Sequence, residues 1–331
     1  MKIITDKNEC QKLIKNCKNS IFDSYKYKKF LNKHYDPDAY LFFVEGEDVI
    51  PLVVKNNLVT FFGGPQFNNA HKLPNNKVLL NSMLSYLKKE DYRFQLISIY
   101  KDSFNLLNKE NKCFDVPYPA EWHYEQIQQY DKVNILKLSS GKKRKRLKLI
   151  INKYNDYTFT TLPFSEFKTQ FNVLIQKHIN YFSARGKTSV WQGKEDFLLK
   201  LLTFLNNEEL MHINIIKLKQ EIVGISILVY NNEELVGLFA SSLKQEDHNI
   251  SKIIYLNMLK TAKEISIGTK ITNFNAMRGA FTNKKRFGFT PVPLYALVKD
   301  THWIVQTDKD IDSKSYKSIY GRSHWGQEGC R

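Results

Sequence analysis

Arginine is scarce in this 331-residue chain while lysine is abundant, so the positions that keep arginine are informative. Compositional drift would supply lysine. Arg185, Arg278 and Arg286 instead retain a planar fork able to grip a carboxylate or phosphate through two parallel hydrogen bonds, the alternative being structural ion pairs. A second set of cations is continuous. Lys142, Lys143, Arg144, Lys145, Arg146 and Lys148 follow the helix-opening Ser139-Ser140-Gly141, and so crowd the positive end of a helix dipole. Like charge there is unfavourable without a counter-anion, which points Lys142, Lys143, Arg144 and Arg146 at a phosphate group; the plainer reading is a solvated helix end.

Covalent and metal chemistry find no comparable constellation. No Ser-His-Asp or Cys-His arrangement is visible, and Cys10, Cys17, Cys113 and Cys330 form no CxxC pair and no metal-ligand spacing with the eight histidines. The sequence therefore predicts no metal site and no disulfide framework. His178 falls on the mostly apolar face of its helix and reads as a core residue; His248, beside Asp247, reads as a solvated loop residue placed to touch a ligand. Trp191 sits in a loop, where it lines an acceptor pocket or caps the neighbouring helices. Direct acyl transfer needs no covalent enzyme intermediate: it needs aligned reactants, a polarised carbonyl and a path for one proton. Backbone N–H groups near 240–242 suit the carbonyl, and no side chain stands out as the base.

The elements that must position these residues come in a repeated order. Strands read at 40–45, 48–54 and 58–63, followed by a helix at 77–89 and a strand at 93–100. The order returns as strands at 211–218, 221–230 and 234–241, a helix at 250–266 closed by Gly268, and a strand at 271–276. Between the halves the pattern predicts a strand at 132–138, a helix from 141, a strand at 157–162 and helices at 165–182 and 195–205; a last strand falls at 293–299. A crevice opens where a meander strand parts from the following parallel strand, and the intervening helix starts there. Its unpaired N–H groups favour an anion such as a pyrophosphate.

Composition agrees with a folded chain. Hydrophobic content of 42% and charged content of 25% exclude disorder, collagen and coiled coil. The 50 basic residues against 33 acidic leave +17, which suits nucleotides, nucleic acid or an anionic membrane surface. No apolar stretch reaches the roughly 18 residues of a membrane span, and the N-terminus lacks a signal-peptide core, so the expectation is a cytoplasmic protein.

Three stretches resemble the GNAT superfamily, and within it the branch of the Fem peptidoglycan aminoacyltransferases and the cellulose-biosynthesis-type acetyltransferases. They are the basic helix Gly141–Lys148, the helix-then-Arg-Gly element His178–Gly186, and Phe274-Asn275-Ala276-Met277-Arg278-Gly279 followed by Asn283-Lys284-Lys285-Arg286-Phe287-Gly288-Phe289. The resemblance covers about 20–300 and implies an α/β fold with mixed sheets in two tandem GNAT-like domains: 1–131 degenerate, 132–310 catalytic, with 311–331 a disordered or appended tail. It implies Asn275, Lys284 and Arg278 as catalytic, Arg185, Trp191 and Arg286 as substrate-binding, and Ser241, Ser242, Asn249, Ser251 and Lys252 as holding the donor. The implied activity moves an acyl group from acyl-coenzyme A, without a metal, to an amine or hydroxyl of a cell-envelope or polysaccharide precursor. The alternatives are an aminoacyl-tRNA donor with a peptidoglycan precursor, or a catalytically silent basic protein holding nucleic acid or anionic lipid. Peripheral contact with an anionic membrane surface is part of the same expectation. Three departures stand out: Asn275 replaces the family's aspartate, Asn283 replaces its aromatic before the lysine, and the glycine-rich pyrophosphate loop is absent between 241 and 251.

Overall fold

The computed structural model describes residues 1–14, 21–22, 24–63, 73–100, 114–138, 140–186, 188–189, 191–244, 249–277 and 281–299. They divide into two compact units, one of Met1–Ala120 with the stretch beginning at Val292, the other of Glu121–Pro291.

The first unit opens with β1 (Lys2–Ile4), α1 (Lys7–Ile14) and α2 (Tyr25–Tyr35), the last capped by Ser24, whose hydroxyl accepts from the Tyr27 N–H. A meander follows: β2 (Ala39–Glu45), β3 (Asp48–Lys55) and β4 (Leu58–Phe61), all antiparallel. Asn56 and Asn57 both take positive φ at the β3–β4 turn, as a two-residue turn matching strand twist requires. α3 (Lys77–Lys89) is capped by Asn76 and buries Leu79, Leu80, Met83, Leu84 and Leu87 at helical spacing. That stripe packs on Phe43, Ile50, Leu52 and Phe94 of the sheet. β5 (Arg93–Tyr100) then pairs parallel with β4 at two positions, Leu58↔Arg93 and Val59↔Phe94.

The second unit repeats this plan. It takes the end of β6 (Phe114–Tyr124), then α4 (Lys132–Lys137), α5 (Gly141–Lys153), β7 (Tyr157–Leu162), α6 (Phe164–Ser183) and α7 (Glu195–Glu208). The meander β8 (Leu210–Leu218), β9 (Glu221–Tyr230) and β10 (Leu235–Ser242) leads into α8 (Ile250–Ser266), β11 (Phe274–Asn275) and the short α9 (Phe281–Arg286). Its strands lie in the order β7-β8-β9-β10-β11-β6. Alternation along the strands builds two apolar layers. Val223, Leu228, Leu235 and Phe274 face Ile254 and Met258 of α8, whereas Ile213, Ile215, Ile225 and Ile227 face Phe171 and Leu174 of α6 and Leu202 of α7. The final strand, β12 (Thr290–Lys299), belongs from Val292 onward to the first unit, where it pairs antiparallel with β5, from Leu294↔Tyr100 to Lys299↔Phe94.

Most of the expected elements are present, with two corrections. Residues 132–138 form helix, not strand. Asp131 stands at the N-cap, and its carbonyl accepts from the Asn134 and Ile135 N–H groups, leaving Ile135 buried and Val133 exposed. The strand expected over 271–276 is reduced to Phe274–Asn275, because the preceding carbonyls are engaged elsewhere. The Gln128 side-chain amide donates to Ser266 O and Ile271 O, and the Ile127 N–H donates to Thr272 O. The tail at 311–331 lies outside the described residues. Among those described, no helix is long and apolar enough to cross a membrane.

Candidate active site

The site is built at an opening in the second sheet. β10 and β11 run parallel for two pairs only, Leu235↔Phe274 and Val236↔Asn275. β10 then bulges between Gly237 and Phe239 and continues beside β9 as far as Ser242↔Gly224. Among the described residues, then, β10 beyond Val236 keeps β9 as a strand neighbour and has no further pair with β11. Neighbours approach closely at the bulge: a Cβ at Gly237 would lie 2.6 Å from Met258 Cε, the end of a flexible side chain, and 3.0 Å from Phe274 Cζ.

Ser241 and Ser242 close the free stretch of β10, both buried. Seven residues on, Asn249 opens α8 without a side-chain cap bond, and the first turn carries no acidic residue. Ser251 and Lys252 are half-buried in that turn, with Lys252 Nζ 3.5 Å from Asn249 Oδ1. A helix first turn that carries no acidic residue among the described positions fits an incoming anion, and Ser241, Ser242, Asn249, Ser251 and Lys252 lie along this course of chain. His248 lies outside the described residues.

At the other lip, Asn275 is held at both ends of its amide. Its Oδ1 accepts from the Met277 N–H at 2.8 Å, and its Nδ2 donates to Glu121 Oε2 at 3.1 Å. Lys284 is buried, its ammonium donating to Ala276 O at 2.6 Å and Met277 O at 3.0 Å. Those bonds hold a kink in which Met277, without a glycine's freedom, takes φ of +54°. Asn275 and Lys284 therefore meet around one turn of backbone, with Lys284 engaged on carbonyls. Arg278 lies outside the described residues, and Arg286 is exposed at the end of α9.

Two polar groups escaped the sequence reading. Glu121, buried on β6, and His123 two residues on form one: His123 Nε2 lies 3.3 Å from Glu121 Oε2, and His123 pairs with Asn275 across the β6–β11 ladder. The signal in the sequence is a period-two Glu-x-His, on a stretch whose pattern does not announce a strand. The other joins α6 to β10. His178 Nδ1 lies 2.6 Å from Ser241 Oγ and its Nε2 2.7 Å from Ser189 Oγ. Ser241 donates to Ser242 O at 2.9 Å, so it accepts the Nδ1–H, leaving Nε2 to accept from Ser189. Burial lowers the His178 pKa to about 4, which makes it a neutral clamp. Ser189 also accepts from the Trp191 N–H at 3.1 Å, and the Trp191 ring packs against the α6–α7 core.

The remaining predicted residues lie apart from this opening in sequence and setting. Arg185, exposed past the end of α6, sits over the Tyr181 ring at 3.9 Å and donates to the Tyr181 hydroxyl. Lys142, Lys143, Arg144 and Arg146 are all exposed on the first turns of α5, whose buried side is Leu147 and Ile150. No acidic residue stands in that first turn.

A three-strand antiparallel meander, a helix and a parallel strand that parts after two pairs define a GNAT-type unit, and the chain carries two. No family model matches the sequence, and no curated protein matches it. Solved structures match the fold. FemX is similar over 91% of this chain and 98% of its own, with a TM-score of 0.54 at 11% identity. The L-PGS from Bacillus licheniformis is similar over 89% of this chain and 92% of its own, TM-score 0.52 at 15% identity. A tandem GNAT protein from the clavulanic acid biosynthesis pathway is similar over 89% and 96%, TM-score 0.50 at 8% identity. Identities this low speak to the fold alone, and that fold is the tandem GNAT fold, as the three sequence stretches suggested.

Proposed function

We propose that the second unit transfers an acyl group from acyl-coenzyme A to an amine or hydroxyl of a cell-envelope or polysaccharide precursor. The observation that carries this reading is the parting of β10 from β11 after Val236↔Asn275 among the described residues, with a helix beyond it whose first turn holds no acidic residue. An unpaired strand edge offers amide partners to a pantetheine-like arm, and the start of α8 offers N–H groups and Lys252 to a diphosphate. In the first unit the Gly63 N–H just past β4 is taken by Asn32 Oδ1 of α2 at 2.7 Å, which fits a supporting or acceptor-binding role for that unit.

The exposed cations of α5 favour a second reading, in which the activated carrier is an aminoacyl-tRNA. The two are separated by thermal shift at low and high salt with acetyl-coenzyme A or aminoacyl-tRNA. The coenzyme reading expects saturable stabilisation by acetyl-coenzyme A that weakens in Lys252→Ala. Stabilisation by aminoacyl-tRNA alone overturns it in favour of the second. Binding of both without transfer to any envelope precursor supports the silent protein.

A further inference from the structure

The family pattern has a carboxylate where this chain has Asn275, and the structure shows a carboxylate one hydrogen bond away, on the next strand. Because Asn275 Oδ1 takes the Met277 N–H, its Nδ2 is the end that meets Glu121, and the carboxylate is the acceptor. The same Glu121 oxygen faces His123 Nε2, which therefore donates to it. That fixes the tautomer: the His123 lone pair is on Nδ1, and among the described residues no hydrogen bond occupies it. The imidazole is about one-fifth exposed while Glu121 behind it is buried, the arrangement of a base oriented by a carboxylate.

Position strengthens the assignment. His123, Asn275 and Val236 form one row across β6, β11 and β10, and that row is the last before β10 and β11 part. Phe274 and Trp122, their strand neighbours, belong to the α8 core, so His123, Glu121 and Asn275 lie on the opposite face. Ser241 reaches that same face, where it meets His178 of α6. The charged group that α9 brings to this segment is Lys284, bound to the carbonyls of 276 and 277.

We infer that His123 is the general base of the transfer, held by Glu121, which supplies from β6 the carboxylate that Asn275 does not. This rests on the acyltransferase reading above. As the acceptor nitrogen attacks the thioester carbon, its proton passes to His123 Nδ1. The new C–N bond forms, the C–S bond breaks, and the thiolate leaves to take a proton from the imidazolium or from water. Glu121 stabilises the imidazolium in between.

The test measures acetyl-coenzyme A binding by calorimetry, and thiol release with a panel of primary amines including amino sugars, for the full chain and for His123→Gln, His123→Ala and Glu121→Gln. The inference expects unchanged binding in the variants and kcat down about 10²–10³-fold in both His123 variants. It also expects loss of the acidic limb of the pH profile, and partial rescue of His123→Ala by added imidazole. Full activity in His123→Gln, absent rescue with a normal fold, or a wild-type chain that binds acetyl-coenzyme A yet releases no thiol, overturns the base. A wild-type chain that binds no acetyl-coenzyme A overturns the donor reading instead.

Discussion

His178 and Ser241 stand 63 residues apart and are joined by a 2.6 Å hydrogen bond that ties α6 to the end of β10. With Ser189 on its other nitrogen, the imidazole is a neutral bridge between Ser189 and the strand that borders the opening.

That bridge makes stability depend on pH. In the unfolded chain the imidazole regains its ordinary value of 6.5, whereas the folded value is near 4 because burial penalises the charge. The folded state binds fewer protons between these values. The His178 contribution is therefore complete above about pH 6.5 and drains away as pH falls towards 4, by roughly 3 kcal/mol in all. Denaturant midpoints across this range should fall for the native chain, and His178→Gln should flatten that part of the slope. An unchanged slope contradicts the assignment.

Gly237 tests the bulge. Alanine there meets Met258 and Phe274 at distances that force a shift, and should cost about 1–3 kcal/mol in urea denaturation while weakening donor binding. A stability equal to the native chain's would show that the close approach does not constrain β10.

Neutralising Lys142, Lys143, Arg144 and Arg146 together should change stability by less than about 1 kcal/mol, since all four are exposed and stand at the unfavourable end of a helix dipole. Affinity for the phosphate-bearing donor should fall, and its salt dependence with it. Outright unfolding, or an affinity left unchanged, removes the phosphate role of α5.

Asn275→Asp would set a second carboxylate about where an amide now donates to Glu121 at 3.1 Å. Two carboxylates so close cannot both ionise cheaply, so the variant should be less stable than the native chain at pH 7 and recover towards pH 4–5, where one proton is shared. A variant as stable at pH 7 as the native chain would show that Glu121 is not the acceptor described.

Lys284→Met keeps the apolar stem and deletes both bonds to the carbonyls of Ala276 and Met277. The expected loss is about 2–4 kcal/mol, read by thermal or urea unfolding, because the carbonyls are orphaned around a left-handed Met277. A loss below about 1 kcal/mol would mean that the kink holds itself.

Much of the architecture was legible because it is written locally. Alternation in 48–54 and 221–230, the paired Asn56-Asn57 turn and the helical stripe from Ile250 to Ile265 each specify an element without help from distant residues. The errors fell where distant partners decide. Val133 and Ile135 alternate like a strand, but Asp131 caps them into a helix; residues 271–273 look like strand, but Gln128 and Ile127, far upstream, take the carbonyls of Ile271 and Thr272. The site was legible on one lip only. Ser241, Ser242 and the start of α8 follow one another in sequence, whereas Glu121 meets Asn275 across 154 residues and His178 meets Ser241 across 63, and neither pairing has a sequence spacing to announce it.

A crystal structure of the full chain with coenzyme A tests the central claim most directly. The account predicts the pantetheine arm between β10 and β11, past Val236 and Asn275, with the diphosphate at the first turn of α8 beside Ser251 and Lys252. A coenzyme bound in the first unit, or none bound at saturating concentration while the opening between β10 and β11 stays filled by protein side chains, would contradict it.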